Sequence, residues 1–169
     1  TGSQGAALTN SGARLTDEGS YRCVVTNILG DTDGAVVSVT VVPASTDTAD
    51  VSTLDDGPAD GNTDSPAHLQ VDPGADGQIS LREAIEAANN RAGADTITFS
   101  VSGTLELESG LPALDDSAGG TTIDGGGLIG IDGNALGGNV PGFSLDSAGN
   151  ILTGLAIVNF PGAGIEIAG

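Results

Sequence analysis

The sequence contains no lysine, no methionine and no tryptophan, and only one cysteine and one histidine among its 169 residues. Its four arginines stand against 23 aspartates and glutamates, which gives a formal charge of −19. Binding to nucleic acid or to an anionic membrane surface requires a basic face, so we expect neither as a partner. Divalent cations, or a high-salt setting that screens self-repulsion, agree better with this charge.

Long apolar runs and aromatic residues are also scarce. No apolar run approaches the roughly 18 residues that cross a bilayer, so we expect no membrane span. Three phenylalanines and one tyrosine among 28 glycines make a thin core, which suits narrow stacked coils better than a thick sandwich. The chain begins without an initiating methionine or a signal peptide, and we expect it to be a piece of a longer protein.

The first 43 residues carry a strand pattern with a characteristic tyrosine. Tyr21, Cys23 and Val25 alternate along one face, and a tyrosine two residues before a cysteine has the tyrosine-corner spacing. Residues 35–42 are predicted to form the hairpin partner after a turn at residues 30–34. Residues 1–43 therefore resemble the last two strands of an immunoglobulin-like domain, an incomplete β-sandwich remnant. Cys23 has no partner cysteine, and without a nearby histidine we expect a buried thiol or an unpaired half-cystine.

Residues 44–76 are dominated by aspartate, threonine, serine, proline and glycine, with isolated hydrophobic residues. This composition is typical of a linker. It predicts an acidic linker that passes into a loop-rich entry segment. Residues 51–54 are predicted to form a short strand there.

One amphipathic helix is predicted after residue 80. Ser80 and Glu83 have the spacing of a capping box, and Leu81 and Ile85 belong to one apolar stripe. After Gly93 no further helix signal occurs. A lone helix before many strands indicates a cap on the open end of a stack, where unpaired backbone groups would otherwise attract other strands.

The start of this helix overlaps a pattern typical of calcium-binding loops. Asp72, Asp76 and Glu83 fall at positions 1, 5 and 12 of an EF-hand template, with Gly77 at the sharp turn. Gly74, at the third position, offers no side-chain ligand, and the capping box explains Glu83 without a metal. A calcium site and a simple helix cap therefore both remain open.

Short apolar-polar alternations separated by glycine clusters follow the helix. They predict a parallel β-helix, because brief regular strands without helical crossovers are typical of that fold. An antiparallel sandwich is the alternative, since Asp124-Gly125 and Asp132-Gly133 are hairpin signals. The predicted strands are residues 96–101, 104–108, 121–124, 128–134, 143–145, 152–158 and 164–167.

Three segments, residues 79–89, 93–99 and 121–125, carry a family resemblance. They look like the CSLREA-type entry domain of bacterial surface proteins, with Ile79 where that motif begins with cysteine. The resemblance spans residues 50–169. It implies a right-handed parallel β-helix of the pectate-lyase-like superfamily, whose capping helix and first coils are residues 77–169. It further implies export to the bacterial cell surface or beyond.

The expected function is a non-catalytic structural or adhesive module. Its expected partner is a polysaccharide or a cell-surface protein, with calcium as the one cofactor considered. The alternative is the N-terminal part of a pectate-lyase-like polysaccharide lyase or hydrolase. A lyase needs a basic residue to abstract a proton, yet none follows Arg91, and Arg82 and Arg91 are predicted to face solvent on the cap helix. A hydrolase needs two carboxylates about 5 to 9.5 Å apart, and the available aspartates lie in predicted turns: Asp115, Asp116, Asp124 and Asp132.

Overall fold

The computed structural model describes residues 47–57, 59–116 and 119–168, and residues 19–27 and 30–39 as backbone. The chain divides into two compact units, Thr1–Pro43 and Ala44–Gly169. The described residues form a mainly β protein with parallel strands in a sheet and few helices.

The first unit contains an antiparallel strand pair. Strand β1 (Gly19–Asn27) pairs with β2 (Gly30–Val39), and Asn27 stands opposite Gly30. The turn predicted at residues 30–34 is therefore wrong, because these residues belong to β2. The pairing is irregular around position 23. The predicted roles of the Tyr21 and Cys23 side chains lie outside the described part of the structure, and the immunoglobulin-like remnant stays a prediction.

The second unit has seven described strands and two helices. Each strand pairing described in it is parallel, so the antiparallel alternative is wrong for this part of the chain. The strands after the second helix fall within a few residues of the predicted ones. The elements are β3 (Asp47–Val51), α1 (Pro66–Val71), α2 (Leu81–Asn89), β4 (Ala94–Phe99), β5 (Gly103–Glu106), β6 (Gly120–Asp132), β7 (Phe143–Leu145), β8 (Ile151–Val158) and β9 (Ile165–Ile167).

These strands form three parallel ladders that the chain visits in turn. The first ladder contains β3, β4 and the first halves of β6 and β8. The second contains β5 and the second halves of β6 and β8. The third contains β7 and β9, with an isolated bridge from Leu114 to Leu145. Each passage through the ladders, here called a course, places the next strand directly beside the previous one.

The core consists of aliphatic residues stacked in register along these ladders. Ile97 pairs with Ile123 in the first ladder, and Leu105 pairs with Ile131 in the second. All four side chains are fully buried. Because parallel pairing puts equivalent positions on the same face, each course covers the apolar residues of the one before. The last course is exposed, with large apolar side chains at Ile151, Val158, Ile165 and Ile167.

Strand β6 bends between the first and second ladders. The pairing with β8 shifts between Asp124 and Ile129, and the bend contains Gly126 and Gly127 with φ of 59° and 74°. Such positive φ angles are strained for residues that carry a Cβ atom. The glycine cluster predicted to separate two strands therefore lies inside one strand and lets it serve two ladders.

Residues 44–76, predicted to be an acidic linker and loop-rich entry segment, fall within the second unit, where loops join β3 and α1. Strand β3 pairs with β4, and Val51 and Leu69 are fully buried. The strand predicted at residues 51–54 lies earlier, at Asp47–Val51. Helix α1 is absent from the sequence prediction, although Ser65 followed by Pro66 is a helix-start signal. In the structure Ser65 is the N-cap, and its side chain accepts a hydrogen bond from the His68 amide.

Candidate functional site

Helix α2 covers one end of the stack and packs against β3 and β4. Its apolar stripe is fully buried, including Leu81 and Ile85. At its start the Glu83 amide donates to Ser80 Oγ at 3.3 Å, and the Ser80 amide donates to Glu83 Oε2 at 2.9 Å. Ser80 and Glu83 thus form a reciprocal capping box, which satisfies two backbone donors at the helix start.

The Glu83 carboxylate also binds a second segment of chain. It is 2% exposed, and its Oε1 accepts the amide hydrogens of Asp60 and Gly61, both at 3.0 Å. Its Oε2 accepts a further bond from Ser80 Oγ at 3.0 Å. Four hydrogen bonds therefore satisfy this buried charge, as a buried carboxylate requires. Glu83 fixes the loop around residue 60 to the start of α2.

The loop before α2 is held by hydrogen bonds among residues 60–78. The Gln78 amide donates to Asp76 Oδ1 at 2.8 Å, and the Asn62 amide donates to the Asp72 carbonyl oxygen at 2.9 Å. Asp60 Oδ2 accepts the Ala75 amide hydrogen at 3.0 Å. Asp72 and Asp76 are exposed, whereas Glu83 is buried, so the three predicted metal ligands lie in different environments.

No group of three or more His, Cys, Asp or Glu residues that could hold a metal ion occurs in the described part of the chain. An EF-hand loop uses both oxygens of the glutamate at position 12 to bind calcium. Both oxygens of Glu83 already accept two hydrogen bonds each. This geometry favours the helix-cap alternative for Glu83. Calcium binding by Asp72, Asp76 and Glu83 stays an untested alternative to the helix cap.

We expect the thermal midpoint of the chain to be the same in calcium, in magnesium and in chelator. A calcium ion would have to displace four hydrogen bonds from Glu83, and exposed Asp72 and Asp76 alone give too few ligands for the six to eight oxygens that calcium takes. The measurement is a thermal melt up to millimolar calcium. A calcium-specific rise that disappears in the Asp72→Asn, Asp76→Asn double variant would contradict this expectation and establish the site.

Arg82 and Asp56 form a buried ion pair beneath α2. Arg82 Nη2 lies 2.8 and 2.9 Å from the two Asp56 oxygens, and Arg82 Nε lies 3.1 Å from Asp56 Oδ1. The side chains are 14% and 2% exposed. Asp56 Oδ2 also accepts the Glu108 amide hydrogen at 2.9 Å, and Arg82 Nη1 donates to the Gly110 carbonyl at 2.6 Å. The predicted solvent-facing position of Arg82 is therefore wrong, because the pair joins α2 to the loops that follow β3 and β5.

Arg91 forms a second buried pair at the other end of α2. Its Nε lies 3.1 Å from Asp47 Oδ2, and its Nη1 donates to Asp95 Oδ1. The solvent-facing position predicted for Arg91 is wrong as well. Asp95 is 1% exposed, and burial raises its pKa more than Arg91 and the Asp47 amide lower it. An acidic side chain is thus held inside the first ladder.

The outer face of the second ladder carries a shallow open groove of about 630 Å³. It is lined by residues 103–104, 127–130 and 154–156, and Leu128 on it is 67% exposed. Thr104 also borders an acidic hollow of about 470 Å³, lined by residues 54–57, 104, 106 and 108. Neither hollow is lined by a lysine, arginine, histidine or cysteine, so neither brings together a nucleophile and a basic side chain.

Two of the four aspartates named for a hydrolase, Asp124 and Asp132, have turn-forming contacts. Asp124 Oδ1 accepts the Gly126 amide hydrogen, and Asp132 Oδ1 accepts that of Asn134, both at 2.9 Å. Asn159 Nδ2 donates to both oxygens of Asp132 at 3.1 Å. The two amide bonds close Asx turns, one at the bend inside β6 and one at its end, a structural use of aspartate that needs no catalytic role.

Comparison with known proteins gives no indication of function. No family model, curated protein or solved structure matches the chain. None of the described helices has the length and apolar character needed to span a membrane. Support for a function therefore comes from the ladders, the capped end and the groove.

Proposed function

We propose that residues 44–169 are the helix-capped start of a right-handed parallel β-helix in a bacterial surface protein. In this proposal the unit is a non-catalytic structural or adhesive module, exported to the cell surface or beyond. The supporting observation is the repeated in-register stacking of aliphatic residues across three parallel ladders, with α2 covering one end. Such a stack is a rod that lengthens by about 4.8 Å per course, which suits holding a surface at a distance.

The groove on the outer face is the proposed place for an adhesive contact. Asp55, Glu106 and Glu108 lie beside it, and the whole chain carries a formal charge of −19. This charge repels acidic polysaccharides, since like charges at close range are unfavourable. We therefore infer a neutral carbohydrate as the partner class to test first, with a cell-surface protein of basic surface as the second.

The alternative is the N-terminal part of a polysaccharide lyase or hydrolase. A lyase of acidic polysaccharide needs a base beside the uronate carboxylate. The groove supplies no basic side chain, and no lysine or arginine follows Arg91 in the sequence. The two described hollows therefore offer this alternative no catalytic base.

The test is incubation of the purified chain with neutral and acidic polysaccharides. We expect no new uronate double bonds and no new reducing ends, with heat-denatured protein as the control; either product would contradict a non-catalytic module.

Binding of a neutral polysaccharide is measured by calorimetry. Binding without turnover would support adhesion. The variant Ala156→Arg fills the exposed groove, so binding that survives this substitution would contradict the groove as the site. If neither binding nor turnover occurs, the adhesive role is overturned and the structural role as a rod remains.

A further inference from the structure

The last course has a long strand edge without a described partner. Strand β8 pairs with β6 and β9 pairs with β7, and neither has a second partner strand among the described residues. The free side of β8 (Ile151–Val158), here called the outer edge, carries a row of backbone amide and carbonyl groups that can pair with another strand. It extends over both the first and the second ladder.

Charge is nearly absent from this part of the stack. Only two of the chain's 23 acidic residues lie within residues 133–169, namely Asp146 and Glu166, and no arginine lies there. Residues 147–165, which include the whole outer edge, contain no Asp, Glu, Lys, Arg or His. The rest of the chain carries nearly all of the formal charge of −19, so two copies repel each other when other surfaces approach. The outer edge lets two copies meet without opposing like charges.

The side chains along the outer edge are complementary to those of a second copy. Leu152 and Ile157 pair in register with fully buried isoleucines of β6, so they point inward, and both are partly buried. Ile151 and Val158 occupy alternate positions on the outer face and are 54% and 41% exposed. When two β8 strands pair antiparallel over all eight residues, Ile151 stands opposite Val158 of the second copy, and Leu152 stands opposite its Ile157. Outward side chains then cover outward ones, and inward side chains cover inward ones.

We propose that the outer edge binds a second copy of this chain, with the two β8 strands antiparallel across a two-fold axis. The axis passes between Gly154 and Leu155, where β8 changes from the first ladder to the second. The first-ladder half of one copy then pairs with the second-ladder half of the other, as an isologous contact requires. Backbone hydrogen bonds between the two edges supply the affinity, as in other cases of strand addition.

The charges favour a second copy over other partners. A basic partner finds no carboxylate on β8, and an acidic partner is repelled by the net charge of the chain. Self-association goes beyond the proposed rod and groove and does not depend on either. Because α2 packs against β3 and β4, away from the outer edge, the dimer has a helix cap at each end.

The test is sedimentation equilibrium of the full chain over a range of concentrations at physiological salt. We expect a reversible dimer of twice the 16.4 kDa chain mass. The double variant Ile151→Glu, Val158→Glu opposes like charges at two symmetric positions and is expected to weaken dimerisation about tenfold or more. The matched control is Gln70→Glu, Val71→Glu, which adds the same two charges at exposed positions of α1 and is expected to dimerise like the wild type.

A charge-swapped variant tests the register. Ile151→Lys, Val158→Glu places opposite charges at the same two symmetric positions, and it is expected to dimerise about tenfold or more tightly than the double glutamate variant. The substituted side chains are exposed, and recovery in this variant separates loss of the contact from loss of the fold.

Three results would overturn the proposal. A monomer at every concentration would do so and would leave the outer edge to an uncharged strand of another protein. A dimer that the double glutamate variant weakens no more than the α1 control would place the contact elsewhere. A charge-swapped variant that dimerises no better than the double glutamate variant would exclude the antiparallel pairing of Ile151 with Val158.

Discussion

Replacing Glu83 by glutamine is expected to destabilise the Ala44–Gly169 unit by about 3 kcal/mol or more. The amide keeps the size of the carboxylate but turns one acceptor oxygen into a donor. Up to two of the four hydrogen bonds from Asp60, Gly61 and Ser80 are then lost, and their donors are part-buried at Asp60 and Gly61 and buried at Ser80. Each unsatisfied buried donor costs about 1–3 kcal/mol. The measurement is the free energy of unfolding from urea denaturation.

Glu86→Gln is the matched control for this prediction. It makes the same substitution on the same helix at a partly exposed position, where a charge change on a surface helix costs within about 0.5 kcal/mol. Equal stability of the two variants would mean that Glu83 contributes no more than a surface carboxylate. In that case the loop around residue 60 would be held to α2 by packing alone.

Replacing Asp56 by asparagine is expected to cost about 3–5 kcal/mol. The substitution leaves Arg82 as an uncompensated cation at 14% side-chain exposure, and breaking a buried pair from one side is strongly destabilising. It also weakens the acceptor of the Glu108 and Ser109 amides. Denaturant unfolding of the variant and the wild type measures this cost.

The neighbouring Asp55→Asn is the control. Asp55 is exposed, and its substitution removes the same charge from the same loop. A double-mutant cycle with Arg82→Met isolates the coupling between the two side chains. We expect the double variant to be more stable than Asp56→Asn alone, since it removes the unpaired cation as well. A coupling energy near zero would refute the buried pair as a tie between α2 and the loop after β5.

The cap helix and the later strands could be predicted because their signals are local. The Ser80–Glu83 spacing defines a capping box within four residues, and apolar alternation defines a strand within five or six. Local signals of this kind survive in a single sequence without any knowledge of the partner strand. The same reasoning located most strands of the second unit to within a few residues.

Contacts between residues far apart in the sequence could not be predicted in the same way. Asp56 and Arg82 are 26 residues apart, and nothing in the sequence distinguishes Asp56 from its neighbour Asp55. The burial of Asp95 likewise depends on the register between β3, β4 and β6, which alternation alone leaves open. The attachment of the loop around residue 60 could not be predicted either, because Glu83, which fixes it to α2, lies 22 to 23 residues later.

The two ends of the stack differ in how they can accept further strands. At one end β3 packs against both helices, and ion pairs of Arg82 and Arg91 join α2 and the turn after it to Asp56 and Asp47. At the other end β8 contains no charged residue, and its apolar side chains at positions 151 and 158 are exposed. Uncharged exposed strand edges are templates for strand addition, whereas helix-covered strands are not. We therefore expect any further strand to pair on the β8 side of the stack and not on the β3 side.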